Sequence, residues 1–356
     1  FETLFLLSSM IFALQNKKQI VMTRKKSLRL LALVAIGMLV WLLPMSLWAK
    51  DMIIKETYNG YVAVTYEFHF QAKVFISENG EAEKAVGKTY FTKYFNGPTT
   101  VTIRVTGNTS RFTTSYEHAI PETTYSVELN NCEELVTYEF LRFKGSSAKI
   151  ELKGDAPKFY NLRCEYVTCG VEFKASNCSK LKDLGPDVNV FKSLDLTNAS
   201  LKEIKGDKLE SVKLTSCAEV EKIVGSSVLQ NIEATNCPKL ATIEGVSAVE
   251  NWLLDKCPLI TAIDLKQSSK LKSLEAKNCA NLATVKARSE QLIKLDLSGS
   301  GKVSNLDISD CSKLSTITGW NSFVGNLEDL KVNGCNNLVT IDAKNGSKLR
   351  SLEAQN

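Results

Sequence analysis

The sequence predicts a mainly β repeat solenoid, in which short parallel strands stack along one axis. Three observations predict it: an apolar frame recurs about every 21 residues, apolar and polar residues alternate at the start of each copy, and a cysteine recurs at one position of the frame. The alternation is typical of a strand with one buried face. Because one copy cannot bury its own apolar side, the copies must stack into a continuous core.

The frame is clearest in five segments of the second half of the chain. They are LESVKLTSCAEVEKI from Leu209, LQNIEATNCPKLATI from Leu229, VENWLLDKCPLITAI from Val249, LKSLEAKNCANLATV from Leu271 and LEDLKVNGCNNLVTI from Leu327. Apolar residues occupy positions 1, 4, 6, 12 and 15, and cysteine occupies position 9. Weaker copies extend the frame back to Asn108 and on to Leu349, with one short step of 11 residues between Ser300 and Cys311.

These copies resemble leucine-rich repeats of the cysteine-containing form, in which cysteine takes the turn position commonly held by asparagine. The short repeats and the export segment described below resemble those of internalin-like surface proteins of bacteria. The resemblance implies an arc with a parallel sheet on its concave side, short 3-10 or irregular segments on its convex side, and a binding role for the sheet. A structural spacer or envelope stalk without a specific ligand is the alternative, because repeat folds serve both uses.

Four regions follow from the pattern. We expect residues 1–21 to be an upstream extension, because a natural start occurs at Met22. Residues 22–49 run from basic to apolar to small, which is typical of a secretory signal peptide, although an uncleaved membrane anchor has the same features. We expect residues 50–99 to form a β-rich cap, or else a small separate binding domain. Residues 100–356 carry the repeats and stop within one, so we expect the natural protein to continue.

We therefore expect export, to the extracellular space or the cell surface, which includes the periplasm and the face of an outer membrane. The formal charge of +5 arises in residues 1–49, since acidic and basic residues balance in the remainder. A neutral body has no electrostatic footprint for nucleic acid. Any membrane contact would be through the N-terminal segment alone.

Eight of the ten cysteines share the ninth position of the frame, and we expect them to form one buried ladder of free thiols. The eight are Cys132, Cys178, Cys217, Cys237, Cys257, Cys279, Cys311 and Cys335. Thiols in a row do not converge on a point as zinc ligands must. Cys164 and Cys169 fall outside the ladder and are the better candidates for a disulfide.

No catalytic machinery is recognisable, so we predict neither an enzyme nor a cofactor. Only His69 and His118 occur, outside any metal or triad motif. Glycan hydrolysis by paired surface carboxylates is a third, unfavoured hypothesis. A calcium site at Glu275, Asp296 and Asp307 is also unfavoured, because no loop with ligand spacing is present.

The outward positions 3, 5 and 7 of the copies form the candidate binding face for a protein partner. Position 5 is mostly acidic, which favours a partner with a basic patch, but a solvated sheet face has the same composition. Leu253 is the one apolar residue at position 5, and Trp320 lies in a longer connection that is either a packed rim loop or a second contact. The candidate partner-binding residues are Glu233, Leu253, Glu275, Asp296, Asp307, Lys331 and Trp320.

Overall fold

The computed structural model describes residues 51–355 except 70–72, 108, 186–187 and 343. The expected extension (1–21) and the signal peptide or anchor (22–49) lie outside the described residues. None of the helices that the described residues form is long and apolar enough to cross a bilayer. What the structure describes is a solenoid built almost wholly of strands, as the sequence predicts.

Seven strands come first in the chain, before the repeated coils. They are β1 (Met52–Asn59), β2 (Tyr61–Phe68), β3 (Lys73–Glu78), β4 (Lys84–Ala85), β5 (Tyr90–Asn96), β6 (Thr99–Thr106) and β7 (Arg111–Ala119). Twenty strands follow: β8 (Thr124–Asn130), β9 (Thr137–Leu141), β10 (Ser147–Asp155), β11 (Asn161–Glu165), β12 (Gly170–Ser176), β13 (Phe191–Thr197), β14 (Glu203–Lys205), β15 (Ser211–Thr215), β16 (Lys222–Val224), β17 (Asn231–Thr235), β18 (Thr242–Glu244), β19 (Asn251–Asp255), β20 (Ala262–Leu265), β21 (Ser273–Lys277), β22 (Thr284–Ala287), β23 (Lys294–Asp296), β24 (Asn305–Asp307), β25 (Ile317–Thr318), β26 (Asp329–Lys331) and β27 (Ser351–Glu353). The described helices are one short α-helix, α1 (Trp320–Phe323), and 3-10 turns at Val188–Val190 and Val324–Asn326.

The N-terminal cap consists of two antiparallel layers. In one layer β1 pairs with β6, β6 with β3, and β3 with β4. In the other, β2 lies between β5 and β7. The inner faces bury aromatic side chains such as Tyr66 and Phe112, which are 0% exposed. The predicted β-rich cap is therefore present, and the chain turns after β3 at Asn79 and Gly80, both at positive φ.

The cap passes into the solenoid without a break in hydrogen bonding. β8 pairs antiparallel with β1 and parallel with β10, while β7 pairs antiparallel with β2 and parallel with β9. The expected start of the repeats at residue 100 is wrong, because β6 contains that residue and is antiparallel to both of its neighbours. The weak copy near Asn108 matched the frame only because any half-buried strand alternates in the same way.

One long parallel sheet runs along the solenoid from β8 to β25. Its strands follow the order β8, β10, β12, β13, β15, β17, β19, β21, β23 and β25. Side chains at positions 4 and 6 point inward, as Leu274 and Ala276 do with 0% exposure, while Ser273 and Lys277 point outward. We call this assembly the long sheet.

The other side of the coil carries short parallel strands, where the resemblance implied 3-10 or irregular segments. They form the runs β7–β9–β11, β14–β16–β18 and β20–β22–β24–β26–β27. In strands such as β22 the apolar residue at position 15 supplies the inward side chain and the one at position 12 packs just before the strand; Val285 and Leu282 are both 0% exposed. We call these strands the opposite sheets.

The frame shifts by half a coil near residue 300. Asp296 of β23 pairs with Thr318 of β25, whereas Asp307 of β24 pairs with Lys286 and Lys331 on an opposite sheet. The 11-residue step in the sequence is thus half a coil rather than a short coil. In the copies that contain Cys311 and Cys335, positions 3 to 5 form β24 and β26, which belong to an opposite sheet instead of the long sheet.

The cysteines therefore form two ladders instead of the single ladder we expected. Cys311 and Cys335 lie on the opposite edge of the coil from the other six. All eight are buried and free, and Cys335 is the most exposed at 5%. The prediction of burial is confirmed, and the prediction of one continuous column is wrong because of the half-coil shift.

The ladder side chains satisfy carbonyls at the ends of the preceding strands. Cys217 Sγ lies 3.5 Å from the carbonyl oxygen of Leu196, and Ser300 Oγ donates to that of Ala276 at 2.7 Å. On the other edge, Cys335 Sγ donates to the carbonyl of Ile308 at 3.0 Å. A buried carbonyl without a donor is costly, so a small donor is favoured there. Serine replaces cysteine at Ser300, and in one copy the buried Ala199 fills the position without donating a hydrogen bond.

The residue just before the ladder position turns the chain. It adopts positive φ in eleven copies, as a non-glycine residue at Asn131, Asn177, Asn198, Ser216, Asn236, Lys256, Asn278 and Asp310 and as a glycine at Gly154, Gly299 and Gly334. Asparagine tolerates this conformation better than most residues. The asparagine that recurs at position 8 is thus the sequence signal from which this turn could have been predicted.

Candidate functional site

The predicted site residues separate into three groups in the structure. Glu233, Leu253, Glu275 and Asp296 lie in one row on the outer face of the long sheet, in register across β17, β19, β21 and β23. Asp307 and Lys331 lie on an opposite sheet, so their assignment to the same face is wrong. Trp320 lies on α1, apart from both rows.

A shallow depression of about 290 Å³ lies on the outer face of the long sheet, over β15, β17, β19 and β21. Outward residues of these four strands line it: Ser211, Lys213, Asn231, Glu233, Asn251, Leu253, Ser273 and Glu275. We call this depression the Leu253 groove. Parallel pairing in exact register places each row of side chains in line, so the rigidity of the groove derives from the sheet itself.

Leu253 stands alone as an apolar side chain on this face. Among the outward positions of the ten described strands of the long sheet, every other side chain is polar or charged, and Gly154 and Gly170 carry none. Leu253 is half-buried, and its neighbour Trp252 points inward with 3% exposure, as position 4 predicts. The groove thus combines one apolar anchor with a hydrogen-bonding surround.

Lysines neutralise much of the predicted acidic column. Lys213 Nζ lies 3.0 Å from Glu233 Oε1, and Lys277 Nζ lies 3.0 Å from Glu275 Oε2. Lys294 also binds Glu275. Farther along the same column, Lys153 and Lys174 pair with Glu151. The expected attraction for a basic partner patch is weakened accordingly, because these charges are already paired.

Glu275 forms the most enclosed of these ion pairs, with the residue only 8% exposed. Burial acts to raise the pKa of its carboxyl, but the hydrogen bonds from Lys294 and Lys277 outweigh burial. The pKa of Glu275 therefore lies below its ordinary value, and the carboxylate is ionised at neutral pH. The edge of the groove beside Leu253 is a fixed, internally compensated charge cluster.

Side-chain amides complete the groove. Asn251 Nδ2 donates to Asn231 Oδ1 at 2.8 Å across adjacent strands. The sequence alone did not predict this amide pair or the ion pairs of Lys213, Lys277 and Lys294. Their partners lie one coil away in the chain, so only the exact register brings them together.

Asp307 and Lys331 belong to a separate polar row on the opposite sheet. Lys266 Nζ lies 2.9 Å from Asp307 Oδ2, and Lys331 Nζ lies 2.6 Å from Glu353 Oε1. In the described residues, no three acidic, histidine or cysteine side chains converge as a metal site requires. The carboxylates of Glu275, Asp296 and Asp307 do not meet, because Asp307 lies on the other side of the coil.

Trp320 is a packed rim residue. Its indole Nε1 donates to the carbonyl of Asp342 at 2.6 Å, and its ring meets the buried ring of Phe323 edge-on at 5.3 Å between centroids. These contacts fix the connection against the coil. Of the two alternatives for this segment, the structure supports the packed rim loop.

Several of the buried thiols are chemically quiet. Burial raises the pKa of Cys132, Cys178, Cys279 and Cys311 to about 12. Because the thiolate is the reactive form, such groups are poor nucleophiles at neutral pH. Cys169 is a free thiol, so the disulfide considered between it and Cys164 is not formed.

Comparison with known proteins adds little to this geometry. No family model matches the chain, and no curated protein is similar to it. One solved structure that matches is a leucine rich cell surface protein from Faecalibacterium prausnitzii, with 11% identity over 69% of this chain and 91% of that one and a TM-score of 0.19. At this identity and TM-score, the match supports no conclusion about function. The assignment of this chain as a solenoid of stacked repeats rests on its own sequence repeats and strand pairing.

Proposed function

We propose that this chain is an exported repeat protein that binds another protein through the outer face of the long sheet. The observation that supports the proposal best is the Leu253 groove, where one half-buried leucine lies among polar side chains. An apolar anchor within a polar surround is the usual anatomy of a protein-binding hot spot. The partner is expected to insert an apolar side chain beside Leu253 and to hydrogen-bond with Asn231 and Asn251.

Export is proposed on the basis of the sequence of residues 22–49, and no catalytic step is proposed. The compensated ion pairs bear on the kind of partner. Because Lys213 and Lys277 already neutralise their acids, long-range charge steering contributes little. We expect an association governed by contact at the groove, with weak dependence on salt.

Replacing Leu253 with aspartate is expected to weaken partner binding about 30-fold, because a charge would occupy the position of the apolar anchor. A photo-crosslinking amino acid replaces Asn251 in protein displayed on intact cells, and the adduct that it forms reports contact between the partner and the Leu253 groove. We expect one discrete protein adduct, and we expect Leu253→Asp to remove it.

Two controls make the result specific. The same photo-crosslinker at Lys286, on an opposite sheet, should give no such adduct. Ile293→Asp changes an apolar residue that is 62% exposed but lies outside the groove, and it should leave the adduct intact. Equal adducts from both faces, or an adduct that is indifferent to Leu253→Asp, would refute the proposed surface. Absence of any adduct would favour the spacer role.

A further inference from the structure

A carboxyl group is enclosed between the two layers of the cap. Glu56 on β1 is 0% exposed. Its Oε2 atom lies 2.6 Å from the hydroxyls of both Tyr58 and Tyr66, and its Oε1 atom lies 2.7 Å from the hydroxyl of Tyr125. The cap core is otherwise aromatic and aliphatic, so this polar cluster requires an explanation.

The cluster extends through further hydroxyls. The hydroxyls of Tyr58 and Tyr66 lie 3.0 Å apart, those of Tyr125 and Tyr138 lie 3.1 Å apart, and Tyr138 lies 3.0 Å from Thr114 Oγ1. Together with the contacts of Glu56, these make six oxygen–oxygen contacts at hydrogen-bond distance. Each such contact requires one proton.

Five hydroxyl groups supply only five of the six protons, namely those of Tyr58, Tyr66, Tyr125, Tyr138 and Thr114. If Glu56 were ionised, one side of the triangle formed by Oε2 and the hydroxyls of Tyr58 and Tyr66 would set two lone pairs against each other. If Glu56 keeps its proton, the triangle closes as a ring of three hydrogen bonds. The count of contacts therefore favours the neutral acid.

The surroundings of Glu56 offer no compensating positive charge. The titratable or hydroxyl groups that face it come from Tyr58 on β1, Tyr66 on β2, Thr114 and Tyr116 on β7, Tyr125 on β8 and Tyr138 on β9. In the part of the chain that the structure describes, none of the groups facing Glu56 belongs to a lysine, arginine or histidine. Burial raises the pKa of Glu56 above its ordinary value, and the hydrogen bonds from the three tyrosines oppose it only in part.

We propose that Glu56 is held as an uncharged carboxylic acid, and that its ionisation is a pH-sensitive switch that loosens the cap as pH rises. Val101 of β6 and Val127 of β8 pair with Glu56 on either side. β8 is the first strand of the long sheet. Loss of the proton therefore weakens the strand contacts that cover the first coil.

The sign of the effect follows from proton linkage. The folded pKa of Glu56 lies above its unfolded value, so between the two values the folded cap holds one more proton than the unfolded chain. The contribution to stability is complete below the unfolded pKa and is lost as pH rises through the folded pKa. Within that window the unfolding equilibrium constant rises about tenfold per pH unit from this group.

Carbon-13 NMR of the protein with carboxyl-labelled glutamate tests the protonation of Glu56 directly. At about pH 6, above the ordinary glutamate pKa, one side-chain carboxyl signal should keep the shift of the acid form while exposed glutamates show carboxylate shifts. Glu56→Gln should remove that signal, and Glu117→Gln, at an exposed position on β7, should not. Through-bond assignment in the unaltered protein identifies the signal even if Glu56→Gln does not fold.

Denaturant titrations across pH test the switch. The ratio of the unfolding constant of the unaltered protein to that of Glu56→Gln should increase as pH rises, up to about tenfold per unit, while the ratio to Glu117→Gln stays flat. A carboxylate shift for every glutamate at about pH 6 would overturn the proposal. So would a ratio to Glu56→Gln that does not change with pH.

Discussion

Replacing Phe140 with alanine is expected to lower the free energy of unfolding by about 3–5 kcal/mol. Phe140 on β9 is 0% exposed and lies between the cap and the first coils. Its ring centroid is 5.1 Å from that of Tyr125 and 5.3 Å from those of Tyr116 and Phe143. The substitution leaves a cavity among the surrounding aromatic rings. Because strands of two layers hold these rings in place, the rings cannot move in to fill the cavity. Urea denaturation monitored by far-ultraviolet circular dichroism measures the loss.

Tyr94→Ala is the matched control, because it removes an aromatic ring from the same cap at a position that is 65% exposed. We expect it to cost about 1 kcal/mol or less. Equal losses for the two variants would show that the cap and first coils do not share a packed aromatic core.

Gly319→Ala is expected to cost about 2–4 kcal/mol. Gly319 has a φ of 80°, and an added Cβ would lie 2.3 Å from the backbone nitrogen and 2.4 Å from the Cα of Ser298 in the preceding coil. Ser298 lies in the turn that follows β23, and its backbone atoms cannot move aside as a flexible side chain can. Thermal and urea denaturation should both register the loss.

Gly87→Ala separates the clash from the backbone conformation. Gly87 also has positive φ, at 67°, but an added Cβ there would meet nothing within 4 Å. We expect a cost of about 1 kcal/mol, due to the left-handed conformation alone. If the two variants lose the same stability, the coils around Ser298 are not packed as closely as described.

Local patterns in the sequence were sufficient to predict the strands of the long sheet and the burial of the ladder cysteines, but not the strands of the opposite sheets. Position 4 and position 6 residues such as Leu274 and Ala276 alternate with polar neighbours, and alternation reports directly which face is buried. The half-coil shift could not be read in the same way. Both halves of a coil carry alternating strands, so the 11-residue step to Cys311 fits either a short coil or half of one.

The candidate site was predicted in part, for a related reason. Glu233, Leu253, Glu275 and Asp296 share position 5 in consecutive copies, so their common row follows from the repeat. The ion pairs of Lys213 and Lys294 depend on how side chains reach across neighbouring coils, which position in the repeat does not specify. The enclosure of Glu56 depends on β1 pairing with β8, about 70 residues later in the chain, and no local pattern reports such a contact.

Zero-length carbodiimide cross-linking followed by peptide mass spectrometry tests most directly whether the coils stack in the described register. It joins lysines to carboxylates that are in contact. The structure predicts a link between Lys266 and Asp307, which lie 2.9 Å apart on an opposite sheet, and a link between Lys294 and Glu275 on the long sheet. A link between Lys294 and Asp307, without one between Lys266 and Asp307, would place Asp307 on the long sheet and contradict the half-coil shift.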